Sequence, residues 1–180
     1  MPSINCILGV DPGLSGAIAF YFPSEPSTVS VFDMPVADGA VSAPEVARIL
    51  EQFRPDCAII EMVGARPGQG VSSMFKFGRA FGTVIGVVGA LKVPTHYAAS
   101  TKWKRYYSLT SDKEESRAKA LHLWPKCSES FSKKKHDGRA EAALLARYGA
   151  EAVFKNPAAE VVGRGVAGRG GDSVAVPVSE

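Results

Sequence analysis

The sequence predicts one α/β domain built on a mixed five-stranded sheet with flanking helices. Short apolar runs and amphipathic segments follow one another in the order three strands, helix, strand, long helix, strand and further helices. The chain has 180 residues, 46% apolar and 22% charged, a globular composition long enough to bury a real core. From residue 151 the sequence turns to Gly, Val, Ala and Ser without a period. We therefore expect a folded domain over 1–150 and a disordered Gly/Val-rich tail over 151–180.

The first three strands are predicted as a meander. Residues 4–10 form a near-continuous apolar run that ends in Asp11-Pro12-Gly13, which is typical of a buried strand entering a turn. Two further apolar or β-branched runs, over 16–22 and 28–34, are separated by prolines. Consecutive strands joined by such short turns pair with one another in most sheets.

Helices and two more strands follow. Ser42 is a candidate N-cap for a helix that ends near Phe53, and Cys57–Met62 is predicted as a second buried strand. A Gly/Pro loop over 64–70 leads into a long helix over 71–91. A fifth strand is predicted over 93–98, with helices over 101–107, 112–123 and 138–148.

The long helix carries Gly78, Gly82 and Gly86 at a spacing of four. Glycine inside a helix costs about 1 kcal/mol relative to alanine, so three on one face need a reason. The spacing predicts unusually close packing there, against either the sheet or a second subunit.

The sequence also indicates in which cellular compartment the protein is found. The longest uncharged apolar stretch covers residues 80–91, well short of the ~20 residues of a membrane span. The N-terminal run has no basic flank and no small-residue cleavage site, and the three cysteines are scattered without a CxxC pair. We expect a cytoplasmic protein with no membrane association, no disulfide framework and no structural zinc.

Basic charge is concentrated in one segment. Residues 102–147 hold 12 Lys and Arg against 6 Asp and Glu, whereas the segments before and after it are slightly acidic. Five aromatic residues lie in the same segment. This mixture suits a nucleic-acid backbone with exposed bases, but a solvated lysine-rich face with its aromatics in the core predicts the same pattern. The aromatics concerned are Trp103, Tyr106, Tyr107, Trp124 and Phe131.

Four carboxylates lie at positions predicted to be buried or next to buried residues, where a charge is not needed for solubility. Asp11 closes the first strand, where a turn-opening role is the simpler interpretation, and Glu61 lies in a strand that is otherwise apolar on both faces. Glu141 falls on the apolar stripe of the last helix, and Asp137 lies one turn earlier, where it can also be an N-cap. Solvation at the end of the strand remains the alternative for Glu61.

If the strand order is right, these carboxylates converge at one end of the sheet. Several carboxylates without matching cations cannot all ionise unless a divalent metal neutralises them, and oxygen ligands select Mg²⁺ or Mn²⁺. Two such ions about 4 Å apart activate water for phosphodiester cleavage. The pattern therefore favours metal-dependent cleavage of nucleic acid. His136 adjoins Asp137 and is a candidate ligand or proton shuttle.

Six blocks in order resemble the RuvC-type Holliday-junction resolvases, over about residues 6–149. The resemblance is to the branch with a GRAEA helix, which is shared by bacterial, phage and plastid members. The blocks are ILGVDPGLSGAIAF at 7–20, CAIIEMV at 57–63, PGQGVSSMFKFGRAFG at 67–82, WKRYYSL at 103–109, KEESRAKALHLWP at 113–125 and KKKHDGRAEAALLARYG at 133–149.

This resemblance implies an RNase H-like fold, a homodimer, and nicking of two opposed strands of a four-way DNA junction during recombination and repair. It implies two Mg²⁺ ions per site, which Mn²⁺ can replace. Asp11, Glu61 and Glu141 match family metal ligands, and Asp137 or His136 takes the fourth place. Lys104 matches a lysine near the scissile phosphate. The expected DNA-binding residues are Ser72, Ser73, Lys76, Arg79, Lys102, Lys104, Arg105, Lys113 and Arg117.

Two features depart from the family pattern. Well-studied bacterial members carry two aspartates three residues apart on the last helix, whereas Gly138 stands three residues before Glu141 here. The aromatic residue that some members carry after the strand-end glutamate is replaced by Gly64, Ala65 and Arg66.

Other functions remain open. A less selective nuclease and a non-catalytic junction-binding protein share the same basic face, although carboxylates that repel phosphate count against a pure binder. An actin-like ATP-binding domain needs two such lobes, for which the chain is too short. A branch-migration motor is a conceivable partner that no residue pattern indicates.

Overall fold

The computed structural model describes residues 4–62, 64, 68 and 70–154. Its elements follow in chain order. They are β1 (Ile7–Asp11), β2 (Ala17–Tyr21), β3 (Val29–Asp33), β4 (Val36–Ala37), β5 (Ala40–Val41), α1 (Ala43–Phe53), β6 (Cys57–Met62), α2 (Val71–Ala90), β7 (Thr95–Ala99), α3 (Ser100–Tyr106), α4 (Lys113–Leu123), two 3₁₀ segments (Pro125–Ser130 and Lys134–His136), α5 (Asp137–Tyr148) and a π-helical turn (Gly149–Val153).

The main sheet has the strand order β3-β2-β1-β6-β7. The first three strands form the antiparallel meander, while β1–β6 and β6–β7 pair in parallel through helical crossovers. The predicted mixed five-stranded α/β fold is confirmed.

A small hairpin of β4 and β5 was missed by the sequence analysis. Its turn residues, Asp38 and Gly39, both have positive φ, 51° and 69°. An Asp-Gly pair favours this kind of two-residue turn, because aspartate and glycine tolerate the left-handed region. The hairpin packs against α2.

Helices cover both faces of the sheet because successive strand residues point to opposite sides. On one face Leu8 and Val10 of β1 pack with residues of α1 and α2. On the other face Ile7 packs with α5 and with Trp103 of α3. The second face also buries Trp124 and Phe131. These three aromatics of the basic segment are therefore core residues, whereas Tyr106 is exposed.

The helix α5 packs very closely on β1. A Cβ placed on Gly9 of β1 would lie 2.6 Å from the backbone N of Ala146 and closer still to the carbonyl oxygen of Ala142. Only a residue without a side chain allows α5 to approach β1 so closely.

The predicted close packing of the α2 glycines against the sheet is wrong. A Cβ added to Gly78, Gly82 or Gly86 meets nothing within 4 Å in the described part of the chain. α2 faces the sheet with Ala80, Val84 and Val88 instead. The glycine face is exposed, so of the two expected partners only a second subunit remains as an expectation.

The helical structure continues past residue 150. In the π-helical turn Ala150 and Val153 are buried, and Glu151 pairs with Arg147 at 2.8 Å while accepting a hydrogen bond from the Tyr107 hydroxyl at 3.3 Å. Residues 155–180 of the expected tail lie outside the described residues. Among the described helices, we find none with the length and apolar character that crossing a bilayer requires.

Candidate active site

Asp11 and Glu61 are brought together by strand pairing. β1 and β6 pair in parallel, with Val10 opposite Ile60, and each carboxylate is the next residue on its strand. Parallel strands end at the same edge of a sheet, where ligand sites of α/β domains form. The two side chains therefore stand side by side at this edge.

Glu141 reaches the same edge from α5. Its side chain is buried, as is that of Glu61, although both are carboxylates. Asp11, Glu61 and Glu141 line one cavity of about 930 Å³. The close approach of α5 to β1 at Gly9 is what places the helix carboxylate beside the strand carboxylates.

The position three residues before Glu141 has no room for a side chain. A Cβ on Gly138 would lie 2.8 Å from the carbonyl oxygen of Ser15 and 3.1 Å from Cα of Gly16. The β1–β2 turn thus occupies the space that an aspartate at position 138 would need. A side chain at position 138 would therefore require α5 or this turn to shift.

The surroundings of Asp11 strongly change the pKa of its carboxyl group. Its pKa is raised to about 7, first because the carboxyl is shielded from water and then because Glu61 and Glu141 repel its charge. The Gly13 backbone N–H and the Lys113 ammonium act in the opposite direction. A carboxyl crowded by two others in this way favours a proton or a cation.

Two lysines beside the acidic cluster form ion pairs with carboxylates. Lys104 of α3 donates from Nζ to Oε1 of Glu141 at 2.6 Å, and Ser116 lies at the hydrogen-bonding limit from the same oxygen, 3.5 Å. Lys113, at the start of α4, pairs with Asp137. Both lysines line the cavity.

Asp137 and His136 are placed differently from the three clustered carboxylates. Asp137 is the first residue inside α5, with helical φ −57° and ψ −45°, so its predicted role as N-cap is wrong; His136 occupies that position. Asp137 pairs with Lys113, which lines the cavity, whereas the described lining includes neither Asp137 nor His136.

His136 is buried next to a basic loop. Its Nδ1 accepts a hydrogen bond from the Lys133 backbone N–H at 3.4 Å, and its pKa is lowered by burial and by the Arg139 guanidinium. These surroundings favour the neutral ring, but its described hydrogen bond leads to the Lys133 backbone and not to a carboxylate.

The expected DNA-binding residues fall into three groups. Ser72, Ser73, Lys76 and Arg79 are exposed on the first turns of α2, where Phe75 is also 68% exposed. Lys102, Arg105 and Lys113 are exposed around the cavity, and the last two line it. Arg117 instead binds within the protein, donating to Glu114 and to the carbonyls of Phe131 and Ser132. Ala65 and Arg66 lie outside the described residues.

Trp103 was missed as a site residue. Its indole Nε1–H donates to Oε1 of Glu61 at 3.1 Å, although the two residues are 42 positions apart. The sequence placed it beside Lys104 and among the aromatics of the basic segment, but neither pattern linked it to Glu61. Hydroxyl side chains that no sequence pattern had indicated also line the cavity: Ser15, Ser100, Thr101, Ser108, Thr110 and Ser111.

The donor set fits a magnesium-type cation. Three carboxylates supply only oxygen, the ligand such ions prefer. The pKa of Asp11 is raised by burial and by repulsion from Glu61 and Glu141, and a cation bound among these carboxylates would relieve that repulsion. Across residues 4–62, 64, 68 and 70–154, however, no group of three acidic, histidine or cysteine side chains is arranged closely enough to bind one metal ion. The lysine and indole contacts instead hold Glu141 and Glu61.

Comparison with known proteins identifies the fold. No protein-family model and no curated protein sequence matches the chain. Among solved structures, Thermus thermophilus RuvC in complex with a Holliday junction substrate has 16% identity and a TM-score of 0.56, covering 81% of this chain and 94% of that chain. The yeast mitochondrial Holliday junction resolvase Ydc2 has 16% identity and a TM-score of 0.54, covering 81% and 78%. The fold is therefore the RNase H-like fold of these resolvases.

Proposed function

We propose that the protein is a Mg²⁺-dependent endonuclease that resolves four-way DNA junctions by paired symmetric nicks during recombination and repair. The observation that carries this proposal is the convergence of Asp11, Glu61 and Glu141 in one cavity, on a fold shared with junction resolvases. We further assign the chain to the branch with the GRAEA helix, whose motif covers residues 138–142 of α5, and place its activity in the cytoplasm.

The three clustered carboxylates would hold the metal, with Mn²⁺ as a substitute. Two divalent ions in such a site activate the attacking water and stabilise the leaving oxygen of a phosphodiester. The protein's own part is to gather the ligands on β1, β6 and α5, and to shield them within the cavity. Asp137, held by Lys113, completes the ligand set in this proposal, and His136 is the weaker candidate because its described contacts lie elsewhere.

Lys104 would supply positive charge at the phosphate. Its ammonium already lies inside the cavity, 2.6 Å from Glu141. As the water oxygen bonds to phosphorus and the bond to O3′ breaks, charge on the phosphoryl oxygens grows, and a cation held nearby stabilises it. The products are a 5′-phosphate and a 3′-hydroxyl, which a ligase can rejoin.

The DNA backbone would follow the exposed cations around the cavity. Arg105 and Lys113 line it directly, Lys102 lies on the same helix as Arg105, and Lys76 and Arg79 extend the path along α2. Arg117 would support this surface from within, by fixing the loop around Phe131.

Paired nicks need two active sites, and a homodimer would provide them. The exposed glycine face of α2 supports this arrangement, since an added Cβ meets nothing there among the described residues. Glycine at these positions weakens the helix and is explained if another backbone packs closely against it.

The decisive experiment is cleavage of a labelled synthetic four-way junction beside a linear duplex with the same arms. Wild type, Glu61→Gln and the control Glu45→Gln are compared in Mg²⁺ and in EDTA. Glu45 is an exposed helix residue paired with Arg48, away from the cavity lining. We expect paired nicks on the junction only, lost in EDTA and in Glu61→Gln but kept in Glu45→Gln.

Two other results would redirect the proposal. Equal cleavage of linear duplex would indicate a general nuclease. Tight junction binding without cleavage in either Mg²⁺ or Mn²⁺ would leave a junction-binding protein, and the assignment of the carboxylates as catalytic would be wrong.

A further inference from the structure

Trp103 and Lys104 hold two different carboxylates from one turn of α3. The indole Nε1–H of Trp103 donates to Oε1 of Glu61, whereas the next residue donates to Oε1 of Glu141. Adjacent helix residues point about 100° apart, which lets neighbours reach partners on β6 and on α5. The Lys104 ammonium also lies 5.3 Å from the centre of the Trp103 ring.

A hydrogen bond is not a general requirement for a buried tryptophan in this core. Trp124 is as fully buried as Trp103, yet its Nε1 has no hydrogen-bond partner among the described residues. Trp103 therefore does more than fill space. Its ring is held by the core, and its only donor points at a carboxylate of the cavity.

We propose that Trp103 is a positioning residue that orients Glu61 for a divalent cation by holding Oε1 and leaving Oε2 for the ion. This inference rests on the proposed function, since it requires Glu61 to be a metal ligand. The indole suits the task because it is a donor without charge, and so does not repel an incoming cation as an ammonium would. Partners behind a metal ligand of this kind typically affect metal affinity or activity 10- to 100-fold.

The test compares Trp103→Phe with the control Trp124→Phe. Both changes keep an aromatic ring in the core and remove one indole N–H, but only the first removes a hydrogen bond. Mn²⁺ affinity is measured without DNA by calorimetry, beside the thermal stability of each variant. We expect about a 10-fold or greater loss of affinity for Trp103→Phe and less than a twofold change for Trp124→Phe. Equal affinities in the wild type and both variants would overturn the inference.

A second measurement does not depend on the two tryptophan variants folding, and one of its arms uses the wild type alone. The chain has two tryptophans, so a ¹⁵N-indole spectrum shows two Nε1–H resonances to assign. We expect Glu61→Leu and, separately, added Mg²⁺ in the wild type to move the Trp103 resonance and leave that of Trp124 in place. If the Trp103 resonance keeps its chemical shift in both Glu61→Leu and Mg²⁺-loaded wild type, the inference is overturned.

The two proposals fail in distinguishable ways. If the wild type binds neither Mn²⁺ nor Mg²⁺ but Glu61→Leu still moves the Trp103 resonance, the hydrogen bond exists and the metal-dependent function is wrong, which removes the positioning role as well. If the wild type binds metal and cleaves junctions while Trp103→Phe does so equally well, only the role of Trp103 is wrong.

Discussion

Lys104 Nζ lies 2.6 Å from Glu141 Oε1, with side-chain exposures of 14% and 9%. An ion pair so well shielded is held more strongly than one on the surface. It also places a cation where the proposed magnesium site would form. In the absence of metal, Lys104 thus offsets part of the negative charge that Asp11, Glu61 and Glu141 bring together.

Lys104→Met should therefore have two opposite effects. Junction cleavage at saturating Mg²⁺ should fall about 100-fold or more, because the charge that stabilises the phosphoryl oxygens is removed. Mn²⁺ binding without DNA should become tighter, because the competing ammonium is gone. Single-turnover cleavage and calorimetry measure the two quantities. Lys126→Met, an exposed lysine of the 3₁₀ segment, is the control and should change neither. Weaker metal binding in Lys104→Met would show that the Lys104 ammonium does not compete with the metal ion for the carboxylates.

Asp11 should make the metal-free protein less stable as pH rises. Its pKa is raised from 3.8 to about 7, so between these values the folded state binds a proton that the unfolded chain does not. This contribution is complete below about pH 4 and is lost as pH rises through about 7. We expect the Tm of the wild type, relative to Asp11→Asn, to fall from pH 5 to pH 8 in EDTA.

The size of the fall in Tm follows from how far the pKa of Asp11 is raised. One pKa unit corresponds to about 1.4 kcal/mol, and 1 kcal/mol to about 2–4 °C for a domain of this length, so the loss should reach several degrees. Mg²⁺ at pH 8 should restore Tm in the wild type and not in Asp11→Asn. Parallel pH curves for the two proteins would show that Asp11 ionises normally.

Local chain patterns predicted the elements that carry the strand-end carboxylates. The apolar runs before Asp11 and before Glu61 are buried strands, and they pair in parallel at the centre of the sheet. The Asp38-Gly39 pair is an equally clear hairpin pattern, although the hairpin of β4 and β5 was not among the predicted elements. These features depend on neighbouring residues, so sequence can report them.

Contacts between distant segments could not be predicted in the same way. Glycine spacing on α2 indicated close packing, but among the described residues the close approaches of α5 to the sheet and to the β1–β2 turn occur at glycines such as Gly9 and Gly138, which belong to no periodic pattern. The bond from Trp103 to Glu61 joins residues 42 positions apart, and depends on how α3 lies against β6. Such contacts are set by packing of the whole domain.

Gly138→Ala should destabilise the protein and impair the site. The new Cβ would lie 2.8 Å from the Ser15 carbonyl oxygen, a backbone atom that cannot move alone. Overpacking of this kind costs about 1–3 kcal/mol, and α5 would shift away from Asp11 together with Glu141. Urea unfolding and junction cleavage should both show the loss. Gly89→Ala on α2, where an added Cβ meets nothing within 4 Å in the described structure, should keep full stability.

Gly82→Glu should convert the proposed dimer into monomers without unfolding them. The position is exposed and an added Cβ meets nothing within 4 Å among the described residues, so each chain accommodates the side chain, and glutamate is the better helix former. A two-fold interface would bring two such carboxylates face to face. Analytical ultracentrifugation should show monomers, with Ala118→Glu on the exposed side of α4 still dimeric. On junctions the monomer should leave single nicks in place of paired ones. A dimer that survives Gly82→Glu would place the interface on another surface.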